Sequence, residues 1–491
     1  MISANTWERI ERQKLRGRER RKRPARPGDR PDPSRPAGTD MSPKIKHIVV
    51  LMMENHSFDN YLGTLGRGDG FLLDDAGVPD AENPDSTGAM IRADHASSTV
   101  QKKARQDTGV PVQSWSASHT QWAEGKMNGF VTSIEQAAPD ADKTAGMAYW
   151  TERDLPFYHG LARTFPVADR WFSSCLGPTF PNRRFLLAGA ANGLMDDLPV
   201  NLLDRPRAGT IMDMLTRHEI SWVNYRPAGS DQSELRRYMR YRRRRTTHHL
   251  RHLGRPLGDP SYVFKRDLQF TSAIYPLGMA SYMAHVRSID QFCADADSGN
   301  LPSFCLVDPD FANYSEETPQ DIRKGESFAA EVINRVMHGP GWADTLLFWL
   351  YDESGGYYDH VAPPAAVPPD DVPGRSRVAH PSPLHSVLKV LFPHYVRQAQ
   401  QQVEGPNAYD NYGFRVPAVI VSPYARRDCV VSDLFDHTSV LKLVEEKWNL
   451  PALTRRDAAA NSPIGALDLS APPAFLKPPE LPAPALAWGS W

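Results

Sequence analysis

The sequence predicts an α/β protein with a doubly wound, mostly parallel central sheet and helices on both faces. Three observations carry that prediction. Apolar runs of strand length, at 46–53, 345–351 and 417–422, give way to polar residues at their carboxyl ends. Helix-period segments separate them, around 206–218, 325–337 and 437–448, and such alternation favours parallel strands joined by crossover helices. The chain has 491 residues, 41% hydrophobic and 23% charged, enough to bury a large core.

The first run, Ile48 to Met53, delivers Glu54, Asn55 and His56 at its end. In an open α/β sheet ligands gather beyond the carboxyl ends of the strands, so these oxygen and nitrogen donors are candidates for a metal site. Thr345 to Tyr351 has the same design and ends in Asp352 and Glu353, followed by Ser354, Gly355 and Gly356. Carboxylates from both strands meeting in one crevice would repel one another without a cation or protons. The glycine pair suits a tight reversal with close backbone approach to a ligand. Asp359 and His360 come next, where they could support the ligands or act as an acid.

Between these runs lies Gly177-Pro178-Thr179-Phe180-Pro181-Asn182-Arg183-Arg184, ahead of an apolar stretch, Phe185 to Ala191, that reads as a helix with Pro181 in its first turn. A helix amino terminus with free N–H groups and arginines is a natural phosphate cradle. Thr179 there is either a helix cap or a nucleophile. Arg183 either meets phosphoryl oxygens or makes a structural ion pair. In the segment Asp321 to His338, Phe328, Val332, Ile333 and Val336 share one helical face, as a helix packed on the sheet requires.

Taken in order, Glu54 to Gly63, Gly177 to Arg183, Asp352 to Val361, and Phe414 to Arg427 followed by Phe435 to Ser439 resemble the phosphoesterase family of bacterial non-haemolytic phospholipases C, plant non-specific phospholipases C and related acid phosphatases. The resemblance spans roughly residues 44–470. It implies an alkaline-phosphatase-like fold and hydrolysis of a phosphoric ester, with Glu54, Asn55, Asp352, Glu353 and Thr179 around a divalent metal ion. Thr179 is the implied nucleophile, forming a covalent phosphothreonine. His119, His360 and His437 match family histidines implied in leaving-group protonation and phosphoryl contacts, and Asn182 and Arg183 fall at the substrate phosphate. One departure is Thr318, which stands in Glu316-Glu317-Thr318-Pro319 where the family carries a histidine. A phospholipase C is the first expectation. A phosphomonoesterase, or a catalytically weak relative that binds lipid or nucleic acid, is the alternative.

The remaining composition bounds the organisation. No apolar run approaches the roughly 18 residues of a membrane span. Residues 1–40 hold twelve Lys/Arg against six Asp/Glu and many prolines, which predicts a disordered basic tail, with Met41 as an alternative start. Arg20-Arg21 lacks the apolar stretch of a twin-arginine signal, so the sequence reads as cytoplasmic. Residues 41–470 are the expected catalytic domain and 471–491 a proline-rich tail. Arginines cluster with Tyr and His at 236–252, inside an insertion near 232–256. Such a segment is either a solvated insertion or a peripheral contact for anionic lipid, and no motif for base recognition accompanies it. The four cysteines show no metal or disulfide spacing, and Cys175 reads as a buried structural thiol.

Overall fold

A computed structural model describes residues 25–100, 111–197, 206–226, 283–311, 313–375 and 408–487. The arginine-rich insertion and residues 1–24 lie outside them. Six strands form the main sheet, numbered in chain order: β1 (His47–Met53), β2 (Trp222–Arg226), β3 (Val286–Ser288), β4 (Phe304–Val307), β5 (Thr345–Tyr351) and β6 (Ala418–Val421). Their spatial order is β6-β5-β1-β4-β2-β3. All pairings are parallel except β6 with β5. An antiparallel edge strand on an otherwise parallel sheet is a common α/β solution.

β1 and β5 are buried from Ile48 to Met53 and from Thr345 to Tyr351. Strands covered on both faces need continuous apolar sequence, and both have it. Their register makes the two strands end level, because His47 pairs with Thr345 and Met53 with Tyr351. Glu54 and Asp352 are therefore the next residues on neighbouring strands. On the other side of β1, Leu51 pairs with Val307, which brings Asp308 to the same edge.

The expected helices form at Ile211–Arg217, Ile322–His338 and Thr438–Lys447. Ile322–His338 buries Phe328, Val332, Ile333 and Val336, as its periodicity requires. The helix expected from Phe185 begins earlier, spanning Thr179–Ala188, with Pro181 in its first turn and Gly189 closing it in the left-handed region at φ 67°. No described helix is long and apolar enough to cross a membrane.

Both terminal segments pack on the body where they are described, in contrast to the disorder expected of the first. Residues 25–40 run along the body: Gly28 N donates to Ala452 O, Asn449 Nδ2 donates to Asp32 O, and Lys447 Nζ donates to Asp40. In the proline-rich C-terminal segment Phe475 is buried, its carbonyl accepts from Trp342 Nε1, and Ala485 N donates to Glu326 Oε2. Few apolar side chains are needed when backbone groups find partners on an existing surface.

Candidate active site

Glu54, Asn55, Asp352 and Glu353 come together at the carboxyl ends of β1 and β5, all at most 2% exposed. Asn55 takes a left-handed conformation, φ 71°, which turns the chain directly after the strand. Its N–H donates to Asp352 Oδ1 at 3.2 Å, and the same oxygen accepts from Glu353 N at 2.8 Å. Glu353 Oε2 accepts from Gly355 N at 2.7 Å, while its Oε1 is buried with no partner among the described residues. Gly355, at φ 68°, lies so close to the Asn55 backbone that a Cβ would sit 1.9 Å from that residue's carbonyl oxygen. The expected tight reversal is thus imposed by the neighbouring Asn55 backbone.

Thr179 opens its helix behind Pro178, and its hydroxyl lies 3.4 Å from Asn55 Oδ1. Asp197 Oδ1 accepts from Phe180 N in the first turn. Asn182 works within the turn that presents Thr179: its Oδ1 accepts from Cys175 N at 3.0 Å and its Nδ2 donates to Gly177 O at 2.8 Å. The amide therefore holds the Cys175–Thr179 turn and is engaged there on both its oxygen and its nitrogen. Cys175 is fully buried and burial pushes its thiol up, in keeping with a structural role.

Arg183 reaches across from the same helix. Its Nε donates to Asp352 Oδ2 at 3.1 Å and its Nη1 to Asp308 Oδ1 at 2.6 Å. It also donates to the carbonyls of Met52 and Met53. Of the two alternatives open from sequence, the ion pair is the one formed, and a guanidinium so engaged has little left for substrate. Asp308 is held in turn by Asn224 Nδ2 at 2.8 Å. Sequence reading missed both residues, although Phe304-Cys305-Leu306-Val307-Asp308 repeats the design of an apolar strand ending in a carboxylate.

Three buried carboxylates, Asp352, Asp308 and Glu54, thus act on one buried guanidinium, and Glu353 is a fourth beside Asp352. Burial raises the Asp352 pKa despite Arg183, and burial together with the Asp352 charge raises that of Glu353. Such a donor set is electrically incomplete and suits a hard divalent cation.

The three histidines separate. His437 Nε2 donates to the Asp352 carbonyl at 2.7 Å, which leaves Nδ1 as an acceptor, buried and without a partner among the described residues. Burial lowers its pKa, so the ring is neutral. His119 stacks on Trp115 and donates from Nδ1 to the Trp115 carbonyl; the Trp115 ring lies against Gly177, two residues before Thr179. His360 belongs to another group. Its Nδ1 pairs with Asp59 at 2.6 Å and its Nε2 with Asp69 at 3.4 Å. Burial opposes its charge, but the Asp59 bond and the Asp59 and Asp359 charges push it up to about 9.

Arg415 completes that second group, donating to Asp59 at 3.0 Å and Asp359 at 2.8 Å. Among the described residues, Asp59, Asp359 and His360 are the one set of three His, Cys or carboxylate side chains with ligand atoms within 4.8 Å of one another. Glu54, Asp352 and Glu353 stand farther apart than that.

The Phosphoesterase family profile matches residues 45–451. The chain belongs to this family. Phospholipase C B of Mycobacterium tuberculosis is 30% identical over 88% of this chain and 80% of its own. Non-specific phospholipase C1 of Arabidopsis thaliana is 27% identical over 85% and 70%. The non-hemolytic phospholipase C of Pseudomonas aeruginosa is 26% identical over 83% and 54%. The expected family is borne out, and with it the class of hydrolase acting on phosphoric ester bonds.

Proposed function

We propose that this phosphoesterase is a metal-dependent, phospholipase C-like enzyme that cleaves a phosphodiester through Thr179, with the nucleophile and metal arrangement of the alkaline-phosphatase-like enzymes. The observation that carries the reading is the excess of buried carboxylates beside the Thr179 hydroxyl, with Glu353 Oε1 left without a protein partner among the described residues. Phospholipases C among the relatives support a phospholipid substrate. Glu54, Asn55, Asp352, Glu353 and Thr179 would hold a divalent cation. When bound, that ion lowers the pKa of the threonine hydroxyl and offsets charge on the phosphoryl oxygens.

Under this proposal Thr179 Oγ1 attacks phosphorus, and the P–O bond to the diglyceride breaks. Asn55 Nδ2, buried without a partner among the described residues, offers N–H donors to a phosphoryl oxygen. The hydroxyl proton passes to the bare Nδ1 of His437 and from there to the departing alkoxide; His119, its Nδ1–H held by the Trp115 carbonyl and its pKa lowered by burial, has an acceptor at Nε2. Water then attacks the phosphothreonine, its proton passing through Nδ1 of His437 to Thr179 Oγ1 as the P–Oγ1 bond breaks, and the phosphorylated headgroup leaves. His360, cationic and half exposed, adds positive charge instead of exchanging protons near neutrality. Arg183 and Asn182 serve by holding Asp352 and the Thr179 turn.

Product analysis tests the reading. Metal-replete protein on phosphatidylcholine vesicles is expected to release diglyceride and phosphocholine, with loss of activity on chelation and in Thr179→Ala. Preference for an aryl phosphomonoester would move the assignment to a phosphatase. Turnover by Thr179→Ala at the wild-type rate would remove the nucleophile.

A further inference from the structure

Directly behind the pocket lies a buried carboxyl that takes no part in this chemistry. Glu316 is fully buried and accepts three phenolic hydrogen bonds: Tyr351 at 2.5 Å and Tyr61 at 2.9 Å on Oε2, and Tyr158 at 2.7 Å on Oε1. Each tyrosine comes from a different element. Tyr351 ends β5 one residue before Asp352, Tyr61 lies in the short helix Phe58–Leu62 after β1, and Tyr158 in helix Pro156–Thr164. A fourth element makes room: a Cβ on Gly325 of helix Ile322–His338 would fall 2.1 Å from Glu316 Cγ.

The backbone beside Glu316 grips the other ligand-bearing strand. Ser315 O accepts from Glu54 N at 3.1 Å, and Glu316 O lies 3.2 Å from His56 Nε2. The loop itself holds an unfavourable left-handed conformation at Glu316, φ 75°, and Gln320 Oε1 accepts from the N–H groups of Ser315 and Glu316. A strained backbone at a bulky residue persists only where its surroundings impose it. Here the surroundings are the phenol cluster and the end of β1.

We propose that Glu316 is a positioning residue that sets the spacing between the Glu54–Asn55 and Asp352–Glu353 ligand pairs, by clamping the carboxyl end of β5 to the loop that holds the carboxyl end of β1. The inference rests on the proposed cation site and adds the residue that fixes its width. Three hydroxyls on one carboxyl make a network of defined geometry, in which removal of one member leaves others unsatisfied. Gln at this position keeps the shape but turns N–H donors toward hydroxyls that already donate, so the clamp loosens while the core stays filled.

The test compares wild-type, Glu316→Gln and the milder Tyr351→Phe, which deletes a single hydroxyl. Calorimetric titration of Mn²⁺ into chelator-stripped protein is expected to show binding weakened about 10-fold or more in Glu316→Gln, with a smaller change in Tyr351→Phe. kcat on a soluble aryl phosphate should fall with KM little changed. Glu445→Gln, at a buried carboxyl in helix Thr438–Lys447, should alter the thermal midpoint only. Unchanged Mn²⁺ affinity and kcat in both Glu316→Gln and Tyr351→Phe would overturn the proposal, as would an equal loss in Glu445→Gln. Wild-type protein that binds no Mn²⁺ would instead sink the cation reading. Glu316 is then judged on kcat alone, where an unchanged value in both variants overturns its role and a selective fall sustains it.

Discussion

The pocket at the ends of β1 and β5 and the neighbouring Asp59–Asp359–His360–Arg415 group are both buried acidic clusters built around an arginine, yet they are electrically different. In the second, buried Asp59 and Asp359 and the more exposed Asp69 meet two cations, a guanidinium and an imidazole held in its charged form. In the first, Asp352, Asp308 and Glu54 share the one guanidinium of Arg183, and Glu353 beside them has an oxygen without a partner among the described residues. The tighter cluster is the better match to metal-ligand spacing, but it already contains two cationic side chains. On the proposed reading, charge balance more than closeness of ligand atoms separates a cation site from an ion-pair network.

Four substitutions or treatments would break or sharpen that contrast. The largest effect is expected in the first cluster: Thr179→Ala should lower kcat on the order of 10⁴-fold or more, since removal of a nucleophile disables the whole catalytic unit. Steady-state and burst kinetics on an aryl phosphate read it, and a retained burst would contradict the covalent step. Next comes the second cluster, where Arg415→Met leaves Asp59 and Asp359 buried against each other. Loss of about 3–5 kcal/mol of stability is expected in denaturant titrations, as for other broken buried pairs. A small effect would mean the cluster relaxes by taking up water or protons.

Chelation should act on the first cluster alone. Removing a cation present at a hundred times its dissociation constant lowers stability by about 2.7 kcal/mol, and Glu353→Gln should abolish that chelator effect. The smallest effect concerns His360. Its pKa is raised from 6.5 to about 9 on folding, so its contribution is fully present below pH 6.5 and is lost as pH rises through 9. Because the ring is half exposed, the expected loss is only on the order of 1 kcal/mol. Wild-type stability should therefore fall more steeply than that of His360→Gln between pH 6.5 and 9.5, and parallel curves would contradict the ion-pair assignment.

Legibility of the sequence tracked the same contrast. β1 and β5 are long apolar runs ending in Glu54-Asn55 and Asp352-Glu353, and their shared design exposed both strands and the polar pairs that end them. β2, β3 and β4 are only three to five residues long, so no periodicity could mark them. With them went Asn224 and Asp308, the residues that explain why Arg183 is an ion-pair partner. Asn182 has a side chain suited to phosphate, yet the Cys175–Pro178 turn uses its whole amide, a fact of local geometry that residue type does not carry. His360 lay in a recognisable motif, but its engagement with Asp59 and Asp69 depends on contacts across about 300 positions of sequence. Residues 25–40 misled because composition reports what a segment can bury alone, not what it can dock against.

The most direct test is diffraction from crystals soaked in Mn²⁺, with anomalous difference maps read at both clusters. A peak among Glu54, Asn55, Asp352, Glu353 and Thr179, with none at Asp59, Asp359 and His360, is the predicted result. A peak at the second cluster with the first left empty would contradict the account.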